Sequence, residues 1–155
     1  MLKVGDNAPS FSLNDQDSKT VTLQSVKGKW VVLYFYPKDD TPGCTKEACS
    51  FTSNLPDFDG LDAVILGVSN DDEKSHQDFI KKYKLKITLL SDVLAKTSKD
   101  YDVYKLVNKD GKDMMRIVRA TFIINPDGKI AKTWYTVSVD EHVEDVRDSL
   151  KELQK

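Results

Sequence analysis

Seven consecutive residues, Trp30-Val31-Val32-Leu33-Tyr34-Phe35-Tyr36, are apolar at nearly every position and end at Pro37. A strand with one wet face alternates apolar and polar side chains. An uninterrupted run of this length instead describes a strand buried on both faces, at the centre of a sheet with a layer on each side. The run is far too short to cross a bilayer. The remaining sequence must therefore supply covering layers.

It does so in a regular order. Phe11 to Leu23 reads as a hairpin, its apolar ends flanking the polar turn Asn14-Asp15-Gln16-Asp17-Ser18. After the central strand, a helix is expected from Pro42. Its apolar positions Cys44, Ala48, Phe51 and Leu55 fall at i, i+4, i+7 and i+11, one helical face. Ala63 to Val68 is the next strand. Glu73 to Lys84 is a helix with Phe79, Ile80 and Tyr83 on one stripe, and Ala95 to Tyr101 a shorter one. Ile117 to Ile124 and Ile130 to Tyr135 form a hairpin across Asn125-Pro126-Asp127-Gly128. A last helix is expected from Asp140 as N-cap, with Val143, Val146, Leu150 and Leu153 inward. This pattern predicts an α/β protein with helices packed on a central mixed sheet. No repeat or linker interrupts it, and the expectation is a single domain over residues 1–155.

Composition narrows the function. A chain of 155 residues buries roughly 70% of its unfolded surface, enough for a core without disulfide staples or a structural metal. The net charge is −2, and no block of like charge points to nucleic acid or an anionic membrane. The N-terminus, MLKVGDNAPSFSL, has no apolar core of a secretory signal, so the cytoplasm is the expected location. Two cysteines and two histidines, His76 and His142, without ligand spacing argue against a metal site, and no glycine-rich phosphate loop implies a nucleotide cofactor.

The chemistry concentrates in Tyr36-Pro37-Lys38-Asp39-Asp40-Thr41-Pro42-Gly43-Cys44. Thr41 suits an N-cap and Pro42 the first helical position, which puts Cys44 in the first turn. Free backbone N–H groups and the positive end of the helix dipole lie there and favour a thiolate, the nucleophilic form of cysteine. A core cysteine would need neither this Thr-Pro-Gly lead nor a second cysteine nearby. Cys49 follows five residues later. In an intact helix that step rotates about 500° and separates the Cα atoms by roughly 8–9 Å. A disulfide tolerates at most about 7 Å. If the two thiols are to bond, the first turns must unwind.

Pro37-x-x-x-Thr41-x-x-Cys44 resembles the active-site motif of the peroxiredoxins, and Cys49 sits where the bacterioferritin co-migratory protein, or PrxQ, subgroup often carries its resolving cysteine. Further segments are similar to that subgroup: Val4-Gly5-Asp6-Asn7-Ala8-Pro9, Gly67-Val68-Ser69, Leu89-Leu90-Ser91-Asp92, and Arg119-Ala120-Thr121-Phe122-Ile123-Ile124-Asn125-Pro126-Asp127-Gly128. The resemblance covers about residues 4 to 150. It implies a thioredoxin-like fold with an N-terminal β-hairpin extension, and a peroxidase acting on hydrogen peroxide and organic hydroperoxides without a cofactor. Cys44 would be the peroxidatic nucleophile and Cys49 the resolving cysteine. Thr41 would hydrogen-bond the thiolate and the peroxide, Pro37 would shield the pocket, and Arg119 would orient the peroxide. The resemblance also implies a monomer recycled by thioredoxin or a similar dithiol. Asn70 and Arg116 depart from the subgroup's pattern outside these positions.

Elementary chemistry supports the same residues. Cleavage of an O–O bond needs a thiolate in line with it and donors on the departing oxygen. Arg119 is permanently charged, and strand alternation puts it on one face with Ile117, Thr121 and Ile123, and Arg116 on the other. The alternatives are a thioredoxin-like disulfide oxidoreductase, which wants C-x-x-C rather than the C-x-x-x-x-C found here, and a non-catalytic interaction module. Gly67-Val68-Ser69-Asn70-Asp71 lacks the second glycine of a nucleophile elbow. His76 reads as packing, His142 as solvated, Asp39 and Asp40 as loop acids facing water, and Lys81, Lys82, Lys84 and Lys86 as a solvated face.

Overall fold

The computed structural model describes residues 1–155. The central run forms β3 (Trp30–Phe35), flanked by β4 (Ala63–Ser69) in parallel and β8 (Ala120–Ile124) antiparallel. Outward from β4 come β5 (Thr88–Ser91), β1 (Ser12–Asp15) and β2 (Thr20–Thr22), and β9 (Ile130–Trp134) closes the far edge beside β8. The seven-stranded mixed sheet thus has the order β2-β1-β5-β4-β3-β8-β9.

Alternation along β3 divides the core in two. Val32, Tyr34 and Tyr36 point to one face, where α1 (Pro42–Ser53), α2 (Leu55–Gly60), α3 (Glu73–Tyr83) and α5 (His142–Leu153) contribute Phe51, Phe58, Phe79 and Val146. Val31, Leu33 and Phe35 point to the other, against Phe11, Tyr101 and Ile117. Neither face is wet, as an apolar run without alternation requires. Gly67 in β4 is needed for this packing: a Cβ there would lie 2.8 Å from the ring end of Tyr34 and 2.9 Å from Leu89 Cδ2.

The structure departs from the sequence expectations at four places. Leu55 does not extend α1: Asn54 ends that helix, and Leu55 begins α2 ahead of Pro56. Leu153 is exposed, as the last residue of α5. The final helix takes Glu141, not Asp140, as its N-cap. Ile117 and Ala120 belong to different sheets. Ile117 closes β7 (Lys112–Ile117), which pairs only with β6 (Tyr104–Lys109) as a separate ribbon, and the chain crosses over at Val118-Arg119. Ile117 therefore packs in the opposite core layer from Ile123, and the alternation extended through it does not hold. The short helix α4 (Lys96–Asp100) lies where a helix was expected.

Candidate active site

The helix carrying Cys44 begins as its sequence demands. Thr41 is extended at the N-cap, Pro42 opens α1, and Cys44 is the third helical residue. Thr41 does not cap through its side chain. Its Oγ1 donates to the Lys38 carbonyl at 2.8 Å, three residues back along the loop. The hydroxyl proton is committed there, so toward the pocket this oxygen can only accept. Pro37 is half-buried at the start of the same loop.

Cys44 is buried and unbonded. Arg119, at the crossover ahead of β8, donates from Nη2 to Cys44 Sγ at 3.3 Å. Gly43 permits this approach: a Cβ there would stand 3.2 Å from Nη2. The other arm of the guanidinium is held by a residue the sequence reading missed. Glu47, fully buried one turn after Cys44, accepts from Arg119 Nη1 at 2.6 Å. Burial pushes the Glu47 carboxyl up to about 7, against the pull of Arg119. The signal was available, since i and i+3 share a helical face and a glutamate there can reach whatever faces the cysteine. The expected helical stripe was read for apolar residues alone.

Cys49 is half-buried and free, and burial raises its thiol. Both cysteines lie within the continuous helix Pro42–Ser53, so the two thiols sit on different sides of a regular rod. Arg116 lies in the ribbon opposite Lys105. Asn70 donates its side-chain N–H to the Asp92 carbonyl.

Two residues read as solvated are not. His142 is buried, and its Nε2 lies 2.9 Å from Thr121 Oγ1. Desolvation lowers it to about 4, which keeps it neutral at neutral pH. Asp39 is buried against His76, whereas its neighbour Asp40 stays exposed and accepts from Lys82 and Tyr83. His76 is buried, as a packing residue should be, but it is also fully hydrogen-bonded.

A buried thiol in the first turn of a helix, touched by an arginine that a buried glutamate orients, defines a cysteine-based site on a thioredoxin-like sheet. The AhpC/TSA family model matches residues 4–133, and the chain belongs to this family. Within it, the chain groups with the peroxiredoxins of the bacterioferritin co-migratory protein, or PrxQ, type. Peroxiredoxin Bcp of Bacillus subtilis is 43% identical over 154 residues, 99% of this chain and 98% of that protein. A cysteine-to-serine variant of PrxQ from Xylella fastidiosa superposes with a TM-score of 0.93 at 36% identity, covering 100% of this chain and 99% of that one. The bacterioferritin comigratory protein of Xanthomonas campestris gives 0.89 at 39% identity over 94% and 92%.

Proposed function

We propose that the protein is a thiol peroxidase in which Cys44 attacks and Cys49 resolves. The observation that carries the reading is the 3.3 Å contact from Arg119 Nη2 to Cys44 Sγ, made inside a pocket that Glu47 braces from behind. The Cys44 thiolate attacks the terminal oxygen of a hydroperoxide. An S–O bond forms, the O–O bond breaks, and the departing oxygen leaves as water or an alcohol after taking up a proton. Arg119 stabilises the negative charge that spreads over the two oxygens. The Thr41 lone pairs accept the O–H of the attacked oxygen and line the O–O bond up with sulfur. Pro37 walls the pocket against water.

The product is a sulfenic acid on Cys44. The Cys49 thiol displaces its oxygen as water and closes an S–S bond, which requires α1 to unwind from its N-terminal end. An external dithiol then reduces the disulfide by exchange, and we assign this step to thioredoxin or a close equivalent. Alkyl peroxide reduction by the Xanthomonas protein supports organic hydroperoxides as substrates alongside hydrogen peroxide. A cycle completed by a dithiol suits a reducing compartment such as the cytoplasm. No helix is long and apolar enough to cross a membrane. All catalytic groups come from one chain read as a single domain, and we take the working unit to be the monomer.

Turnover of peroxide with thioredoxin and its reductase tests the assignment on wild type and each cysteine variant. Cys44→Ser should abolish it. Cys49→Ser should keep one fast reaction with peroxide, then stall as sulfenic acid and over-oxidise. A Cys49→Ser protein inert to peroxide beside a normally reacting Cys44→Ser protein would reverse the two roles.

A further inference from the structure

A second buried polar cluster lies outside the cysteine pocket, and it is satisfied at every acceptor of its central carboxylate. Asp39 Oδ1 accepts from the Tyr36 hydroxyl at 2.5 Å. Its Oδ2 accepts from Ser75 Oγ at 2.8 Å and faces His76 Nδ1 at 2.7 Å. The other ring nitrogen, Nε2, lies 3.0 Å from the Leu90 carbonyl. Both ring nitrogens thus face oxygen atoms, and the ring is held from both ends. The two side chains are 0% and 4% exposed, so this hydrogen-bonded pair lies in the protein interior.

Buried polar networks whose members are all hydrogen-bonded rigidify their surroundings and enforce one geometry. Here the geometry enforced is that of a single peptide plane. Asp39 N–H and Lys38 C=O belong to the same planar unit. The N–H edge donates to Asp71 Oδ2 at 2.8 Å, and Asp71 is itself held by Ser69 Oγ at 2.7 Å. The C=O edge accepts the Thr41 hydroxyl at 2.8 Å. The plane is thus held at its N–H edge by Asp71, and the Asp39 side chain that leaves it is anchored by His76. It dictates where the Thr41 lone pairs point.

We propose that the buried Asp39–His76 pair is a positioning device for the peroxide step: it fixes the Lys38–Asp39 peptide, which aims the Thr41 hydroxyl one helical turn ahead of Cys44. This inference rests on the reading of Cys44 as the peroxidatic nucleophile. It makes α3, which carries His76 and shares no residue with the cysteine motif, part of what orients the substrate. Loss of the pair lets the peptide rotate and frees the hydroxyl, while the sulfur and Arg119 stay in place.

The test is a double-mutant cycle between Asp39→Asn and Thr41→Val. It follows the reaction of Cys44 with hydrogen peroxide by stopped flow and its reaction with iodoacetamide as a control. Asp39→Asn should slow the peroxide reaction by about tenfold or more and leave alkylation within about twofold. The double variant should be no slower than Thr41→Val alone, because both changes disable the same hydroxyl. Multiplying losses in the double variant, or a peroxide rate for Asp39→Asn within about twofold of wild type, would overturn the proposal. Asp71→Asn weakens the same peptide from its other edge and serves the same cycle if Asp39→Asn does not fold. A wild-type protein that alkylates at Cys44 but ignores peroxide would instead sink the peroxidase reading itself.

Discussion

Glu47 Oε1 accepts from Arg119 Nη1 at 2.6 Å in a position closed to solvent, so one buried carboxylate fixes the plane of the guanidinium that faces the sulfur. A carboxyl in such a place resists ionisation, and burial raises it from 4.5 to about 7. The folded protein then holds the Glu47 proton more tightly than the unfolded chain does. That linkage favours the fold at low pH, and the contribution is lost as pH rises through about 7. Urea unfolding of wild type and Glu47→Gln across this range should show wild type losing stability relative to the variant as pH rises. A constant difference would mean that Glu47 ionises as freely folded as unfolded.

If Thr41 and Arg119 orient the peroxide as proposed, their effects separate from simple activation of the thiol. Thr41→Val keeps shape and removes the hydroxyl, and Arg119→Met removes the charge. Arg119→Met should slow the peroxide reaction by roughly 100-fold or more, the scale of losing one donor to a developing anion, and Thr41→Val by about tenfold or more through lost alignment of the O–O bond. Each should slow alkylation of Cys44 far less, because alkylation needs no aligned O–O bond. Equal losses with peroxide and iodoacetamide would show that these residues act only on the thiolate.

His142 has the opposite linkage to Glu47. Desolvation depresses it from 6.5 to about 4, so the fold binds its proton less readily than the unfolded chain. Its contribution is complete above the ordinary value and is lost as pH falls through about 4. His142→Gln, which can still meet Thr121 Oγ1, should flatten the acid side of the stability profile. Melting curves for both proteins between neutral pH and pH 4 check this, and parallel acid limbs would contradict it.

Gly67→Ala should destabilise the protein by about 1–3 kcal/mol, since the added methyl meets a tyrosine ring packed on both sides. Chemical denaturation measures it. An unchanged midpoint would mean that the Tyr34 ring has room to shift.

What could be read in advance followed from signals that are local in sequence. Trp30 to Tyr36 declared a doubly buried strand because apolar continuity depends on nothing distant, and Thr41-Pro42 announced the helix start because capping and proline geometry act within a turn. The ribbon of β6 and β7 was overlooked because its strands are mostly exposed and show little apolar alternation. Its one clear sign was Asp110-Gly111, both at positive φ as a tight hairpin requires. The strand β5 has only four residues, too short for a period to emerge. Asp39 and His142 were read as solvated because adjacent acids, and a histidine in a first helical turn, usually are. Their burial depends on α3 and β8, elements remote in the chain. Glu47 needed a partner 72 residues away before its burial made sense.

Cys44 and Cys49 cannot bond across an intact helix, so in the proposed cycle local unwinding follows the peroxide step. Amide hydrogen exchange on the reduced protein and on the protein oxidised with one equivalent of peroxide tests this most directly. The reduced form should protect the helix from Thr45 to Ser53. The oxidised form, with an intramolecular Cys44–Cys49 disulfide confirmed by mass, should exchange faster across Gly43 to Ser50 and keep the protection of β3 and β4. An intramolecular disulfide formed with unchanged protection across Gly43 to Ser50 would contradict unwinding of this helix.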